Sequence, residues 1–223
     1  MLGIIIAEVV SIATSICTTI GGVLKTVVPM IPKIVEAIKV IVPIVSALAE
    51  LIIGKPKDEL PEELALKAEV AHENGVTSED FESTDAYINY LREKIELDAE
   101  RMKKVESEEN RAAYSAVGSA LYIKSIKEKF DISLEPDFWT MGGKIGLEST
   151  QIRGLLEEMN ERKMRDGRVF VDYMEGKLPI GSNEQAAMYD TLKSVLKESD
   201  PEAGNAQLNQ MMAELRQRAS GNN

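Results

Sequence analysis

The chain has 223 residues, a formal net charge of −11, one Cys and one His. A single Cys excludes an internal disulfide framework, and one His with one Cys excludes a zinc site of ordinary composition. The acidic balance disfavours a phosphate-neutralising surface, so nucleic acid is not the expected partner.

Residues 1–54 differ in kind from the 169 that follow. They hold Lys25, Lys33 and Lys39, Glu8, Glu36 and Glu50, and no aromatic residue. Of the 54 residues, 34 are apolar, mostly Ile and Val, so the whole net charge lies beyond Gly54. Such a segment enters a membrane, a partner, or the space under its own chain. Residues 2–24 as a helix would be about 34 Å long, enough for a hydrocarbon core of about 30 Å. Against a clean span stand Glu8 within the stretch, the missing aromatic belt and the lack of a Lys/Arg cluster.

The polar residues here keep helical spacing. Glu8, Ser11, Ser15, Thr18, Gly22 and Lys25 recur every three or four positions, which lines them along one stripe of a helix. Lys33, Glu36, Pro43, Ser46 and Glu50 lie near one face of a second helix, with Lys39 at its margin. The pattern predicts helices over 3–27 and 32–53, joined near 28–31 as a hairpin, with a kink at Pro43. The seam residues Glu8, Ser11, Ser15, Thr18, Lys25, Lys33, Glu36 and Glu50 are the candidate membrane or partner contacts. No basic n-region with a short apolar run marks a cleavable signal peptide. Cys17, inside the apolar stretch, reads as a small buried residue.

Residues 55–60 read as a charged linker between Pro56 and Pro61. Pro61 suits the first turn of a helix that stops at Asn74-Gly75. A cap-like Thr77–Asp80 follows, and Ser83 or Thr84 opens a long helix to about residue 105. Residues 111–130 form another helix, whose Ala residues and Gly118 suit close helix approach. The predicted divisions are an apolar hairpin over 1–54, a linker over 55–60, a helical bundle over 61–130 and a C-terminal helical region over 131–223.

In that last region, Asp137-Phe-Trp-Thr-Met-Gly-Gly-Lys-Ile-Gly-Leu147 is followed by Glu148-Ser-Thr-Gln-Ile-Arg-Gly-Leu-Leu-Glu-Glu-Met159. This resembles the two helices of a helix-turn-helix, with the turn at Ile145–Leu147. The resemblance, over 137–173, implies a recognition helix at 149–165 and a wing strand at 168–173. It makes Arg153, Arg162, Lys163 and Arg165 the nucleic-acid candidates, although Glu148, Glu157, Glu158 and Glu161 interrupt them. Phe138 and Trp139 are expected core anchors. Ser182-Asn-Glu-Gln185 resembles a capping box opening a helix to about Glu198. A last helix is expected from Asp200-Pro201 to about Arg218, with an apolar stripe of Leu208, Met211, Met212 and Leu215.

The expected fold is all-α: an apolar N-terminal helical hairpin, then an acidic multi-helix bundle with a helix-turn-helix-like unit and at most one short strand pair near 168–180. No catalytic, metal-binding or cofactor-binding constellation stands out, so an enzyme is the least supported class. The leading expectation is a membrane-active or membrane-associated protein, located at or delivered to a membrane, whose hairpin inserts into a lipid bilayer, including as an oligomeric pore. The alternative is a structural or assembly subunit, a homo-oligomer or a complex with a protein partner through residues 2–53. The third is a helix-turn-helix regulatory protein.

Overall fold

The computed structural model describes residues 2–20 and 28–221. Among the described residues the chain is all-helical, with twelve α-helices and no strand. It divides into two compact units, Met1–Glu128 and Lys129–Asn223.

In the first unit, α1 (Leu2–Ile20) is followed by a 3-10 turn at Val28–Met30, α2 (Ile31–Glu36) and α3 (Ile38–Ile53). The end expected for the first helix, residues 21–27, lies outside the described residues. The second hairpin helix is divided at Ala37 (φ −109°, ψ 23°), whereas the ladder passes Pro43. Proline withholds a hydrogen bond from the carbonyl four residues back. Here that carbonyl belongs to Lys39, and both Lys39 and Pro43 are exposed, so the freed group lies on the wet side.

Burial explains the hairpin's place. Val9, Ala13, Ile16, Cys17 and Ile20 form one buried face of α1, which packs on α2 and on α4 (Pro61–Glu73). Ile31, Ile34, Ile41, Val45, Leu48 and Ile52 continue that core in α2 and α3. The spacing of these residues is the helical one, and their burial is what keeps an apolar hairpin in a folded body.

The stretch read as a linker is a tethered turn. Lys55 is buried, and its Nζ donates to the carbonyls of Pro56 (2.7 Å) and Glu59 (2.9 Å) and pairs with Glu50 (3.3 Å). Glu59 receives a bidentate pair from Arg92 Nε and Nη2 (2.9 and 3.0 Å) and the hydroxyl of Tyr122 (2.5 Å). Arg92 Nη1 also donates to the carbonyl of Ile53 at 3.3 Å, near the end of α3. This planar fork holds the exit of the hairpin to α5 (Thr84–Lys94) and to α7 (Glu108–Phe130).

The long helix expected over 85–105 is two. α5 ends at Ile95, whose backbone is extended and whose side chain is buried; Asp98 then caps α6 (Ala99–Met102) through the Arg101 amide at 2.8 Å. Turning Ile95 inward outweighs the gain of continuing a charged helix. α7 approaches the start of α4 closely at Gly118. A Cβ there would stand 1.9 Å from the Pro61 carbonyl oxygen. Ser115 donates to Glu62 at 2.7 Å and Tyr114 to Glu69 at 3.0 Å along the same pair.

The second unit holds α8 (Pro136–Ile145), α9 (Ser149–Glu161), α10 (Arg168–Met174), α11 (Asn183–Ser199) and α12 (Asn205–Ser220). Phe138 and Trp139 are core residues as expected, meeting edge-to-face at 5.2 Å, and Phe138 also meets Phe170 at 5.2 Å. The expected wing strand is instead the helix α10. Asp166 caps it at the Arg168 amide (2.9 Å), and Phe170, Val171 and Met174 are buried at helical spacing against α8. The packed face overrides the β-branched preference of Val169 and Val171. No strand pair forms among residues 168–180; an isolated parallel bridge joins Ser133 to Asp166, just before that stretch. The last helix starts at Asn205 and not at Pro201, since 200–204 form a turn bound by Lys197 Nζ to the carbonyls of Pro201 and Ala203 (2.6 and 2.8 Å).

Gly118→Ala is expected to destabilise the first unit by about 3 kcal/mol, because backbone must move to admit the methyl group. Chemical denaturation checks this: the transition of the first unit falls while that of the second holds. Alkaline pH supplies a second test. Burial raises the hydroxyls of Tyr87, Tyr114 and Tyr122 above their ordinary value of 10.0, and the carboxylates of Glu69 and Glu59 add to this for the latter two. A pKa raised by folding gives stability that is complete below the unfolded value and lost as pH rises past it. Stability of the first unit should therefore decline above about pH 10. Tyrosinate absorbance should rise together with loss of helical circular dichroism, and ionisation of all tyrosines without unfolding would contradict it.

Candidate functional site

The sequence-predicted seam lies on the outside of the hairpin. Glu8, Ser11, Ser15 and Thr18 are exposed on α1, opposite its buried face. Thr18 returns its hydroxyl to the carbonyl of Thr14 at 2.8 Å. Lys33 and Glu36 are exposed on α2, and Glu50 is half-buried beside Lys55. Lys25 lies outside the described residues. The seam is thus the wet face of an amphipathic helix pair, and its groups do not converge on one point.

Burial pushes the Cys17 thiol up to about 12, so it stays protonated and unreactive at neutral pH. Among the described residues, no group of three or more His, Cys, Asp or Glu side chains could hold a metal ion.

Three of the four nucleic-acid candidates are engaged locally. Arg153 pairs with Glu157 (3.0 Å), Arg162 with Glu158 (3.0 Å), and Arg165 with Asp131 (3.2 Å). Arg165 also donates to Asn160 and to the Phe130 carbonyl. The expected recognition helix stops at Glu161, so Arg162, Lys163 and Arg165 lie beyond it, with Lys163 at φ +59°. Ile152, Leu155, Leu156 and Met159 turn one face of α9 inward, and α11 packs on this helix. Its outer face alternates Arg153 with Glu157 and carries no excess of positive charge.

What the sequence did not single out is a groove in the first unit. Two adjoining cavities, of about 420 and 490 Å³, share Ile38, Lys39, Glu108 and Ala112. The first is walled by Ile6, Val9, Val35, Ile38, Val40 and Ala112, with Glu36, Lys39, Glu108 and Glu109 on its rim. The second extends past Val42 and Pro43 toward Glu106, Arg111 and Ser115. The division of the helix at Ala37 places this residue and Ile38 on the wall. Val40, 37% exposed, is among the few large apolar side chains open to solvent.

Glu108 and Glu109 have a local reason to be where they are. They occupy the first turn of α7, where a carboxylate offsets the helix dipole, and Ser107 Oγ accepts from the Asn110 amide at 3.2 Å. They also give the groove a negative edge. The groove combines an apolar wall with a charged rim, and Ser115, at the end of the second cavity, is held by its hydrogen bond to Glu62.

Comparison with protein-family models, curated proteins and solved structures gives no match.

Val40 and Val9 should separate surface from core. Val40→Asp places a charge where water already reaches and should alter stability by less than about 0.5 kcal/mol. Val9→Asp buries an unpaired carboxylate in the α1 face and should unfold the first unit or lower its stability by more than about 3 kcal/mol. Thermal melts of the two variants check the pair.

Proposed function

We propose that this protein is a non-enzymatic assembly subunit that engages a protein partner through the groove of its N-terminal unit. The observation that carries this reading is the orientation of the hairpin. Its described apolar face is covered by its own chain, its polar seam faces outward, and an open apolar groove remains between α1, the α2–α3 break and α7. An amphipathic helix pair in that orientation is stable in water. The groove is the part of the hairpin region left for another molecule, and its Glu36, Glu108 and Glu109 rim favours a partner segment that carries positive charge beside an apolar anchor.

A second reading keeps the hairpin as a membrane element. What favours it is composition: 34 apolar residues in 54 at zero formal charge is more than a surface-exposed hairpin requires. Among the described residues, no helix is long and apolar enough to cross a membrane. Insertion would therefore require the hairpin to leave α4 and re-form against lipid. It would also carry the carboxylates of Glu8, Glu36 and Glu50 out of water, which makes insertion costly.

Mass in detergent-free buffer and flotation with liposomes distinguish the two. The assembly reading expects a species of defined mass that stays at the bottom of the gradient. Aggregation relieved only by detergent, or flotation with the liposomes, overturns it in favour of insertion.

A further inference from the structure

Asn74-Gly75 and Asp166-Gly167 share a covalent weakness. In each, the glycine amide nitrogen can attack the side-chain carbonyl carbon of the residue before it and close a succinimide ring. Glycine favours this because it has no Cβ to crowd the ring. The fold treats the two dipeptides in opposite ways.

At Asp166-Gly167 the nitrogen is locked. The Gly167 amide donates to the Ser133 carbonyl at 2.8 Å, and Gly167 is buried. A Cβ there would stand 3.0 Å from that carbonyl oxygen and 3.1 Å from the Leu134 and Phe138 side chains. The Asp166 carboxylate is also held, its Oδ1 accepting from the Arg168 amide at 2.9 Å. Freeing this site requires the core around Phe138 to open.

Asn74 and Gly75 are both exposed, and a Cβ on Gly75 would meet nothing within 4 Å. They end α4, with Gly75 at φ +79°. The Gly75 amide donates to the His72 carbonyl and the Val76 amide to the Ala71 carbonyl, each at 2.9 Å. Arg101 of α6 fastens this last turn, its Nη1 and Nη2 reaching Glu73 at 2.8 and 2.5 Å. That pair is part-exposed, so it closes the end weakly. In the closed cap Asn74 has ψ 5°, which turns the Gly75 nitrogen toward the Asn74 nitrogen and away from Cβ. Ring closure therefore waits for the cap to open, and a helix end opens far more often than a core.

We infer that Asn74-Gly75 is a spontaneous modification site gated by the Arg101–Glu73 clasp. In the opened cap the Gly75 nitrogen gives its proton to water and bonds to Asn74 Cγ. The Cγ–Nδ2 bond then breaks and ammonia leaves. Water opens the succinimide at either carbonyl, giving Asp or the β-linked isoaspartate at position 74. Both products set a carboxylate at the C-terminal end of α4, beside Glu73, where the helix dipole disfavours it. The β-linked product also lengthens the backbone between residues 74 and 75, a stretch that the Val76-to-Ala71 bond spans. Because ammonia is lost, the original amide is not re-formed. The modified fraction thus records the cumulative time this end of α4 has spent open.

Prolonged incubation of the full chain in heavy-oxygen water, followed by digestion in ordinary water and peptide mass mapping, tests this. The peptide holding Asn74 should take up label and yield the isoaspartyl form, whereas the one holding Asp166 should stay unlabelled. In denaturant both should take label. Asn74→Gln, whose longer side chain disfavours the ring, should abolish labelling at position 74. Arg101→Ala should speed conversion of Asn74 about threefold, the effect expected of a part-exposed ion pair. In Asn74→Asp, hydrogen exchange of the Gly75 and Val76 amides should quicken about threefold, from the charge set against the dipole. An Asn74 that stays intact in the folded chain, or label appearing equally at Asp166, overturns the inference. A conversion rate unchanged by Arg101→Ala overturns the gating by the clasp.

Discussion

Burial of the apolar face of α1 is the constraint on which the first unit depends. Val9, Ala13, Ile16, Cys17 and Ile20 would expose a continuous apolar strip if α1 were lifted away. At roughly 25 cal/mol per Å² of apolar surface, five such side chains favour the packed state by several kcal/mol. That is comparable with the whole net stability of an ordinary domain. α2 and α4 supply the opposing surface, and the outward stripe of Glu8, Ser11, Ser15 and Thr18 is the consequence of satisfying it. The polar seam is thus explained by solvation of the helix, without a ligand.

The clamp around Glu59 acts on the other end of the hairpin. Arg92 joins Glu59 to the Ile53 carbonyl, Tyr122 adds its hydroxyl, and Lys55 folds back on Pro56, Glu59 and Glu50. Removing one member of such a nearly buried set leaves the others without a partner, which costs more than the set contributes as a whole. Its effect is therefore mainly geometric: it fixes where α3 ends and α4 begins. The same geometry brings the start of α7 to the α2–α3 break, where Glu108 and Glu109 become the edge of a groove. On the proposed reading, carboxylates placed for the helix dipole gain a second use in recognition.

The second unit is held by different means. Its core sets an aromatic cluster of Phe138, Trp139 and Phe170 among Leu and Met side chains, where the first unit relies on Ile, Val and Ala with Tyr87 and Tyr122 fully buried. Its helix ends cap one another: Arg218 donates to the Ile145 carbonyl at 3.0 Å and Lys144 to the Ala219 carbonyl. Each cation sits at a helix C-terminus, where it meets both an orphan carbonyl and the negative end of the dipole. The helix-turn-helix resemblance covers α8 and α9 but ends there. The expected wing is α10, and beyond Glu161 Arg162 is committed to Glu158 and Arg165 to Asp131 and Asn160.

The sequence by itself determined what local physics controls. Period fixed the helical class and the polar stripe of α1; packing of the opposite face on α2 and α4 decided that the stripe faces outward. Pro61, Asn74-Gly75, Ser83 and Ser182 marked helix ends, because caps and breakers act within a turn of where they stand. Gly118 announced a close approach, although not that Pro61 would be its neighbour. Tertiary structure decided whatever depended on distant partners. The turn of Ile95 toward the core, the helical state of 168–174, the tether at Lys55 and the break at Ala37 each follow from side chains far along the chain or from packing that overrides propensity. The groove belongs to the same class. Ile6, Val40 and Glu108 carry no shared motif, and only folding brings them to one surface.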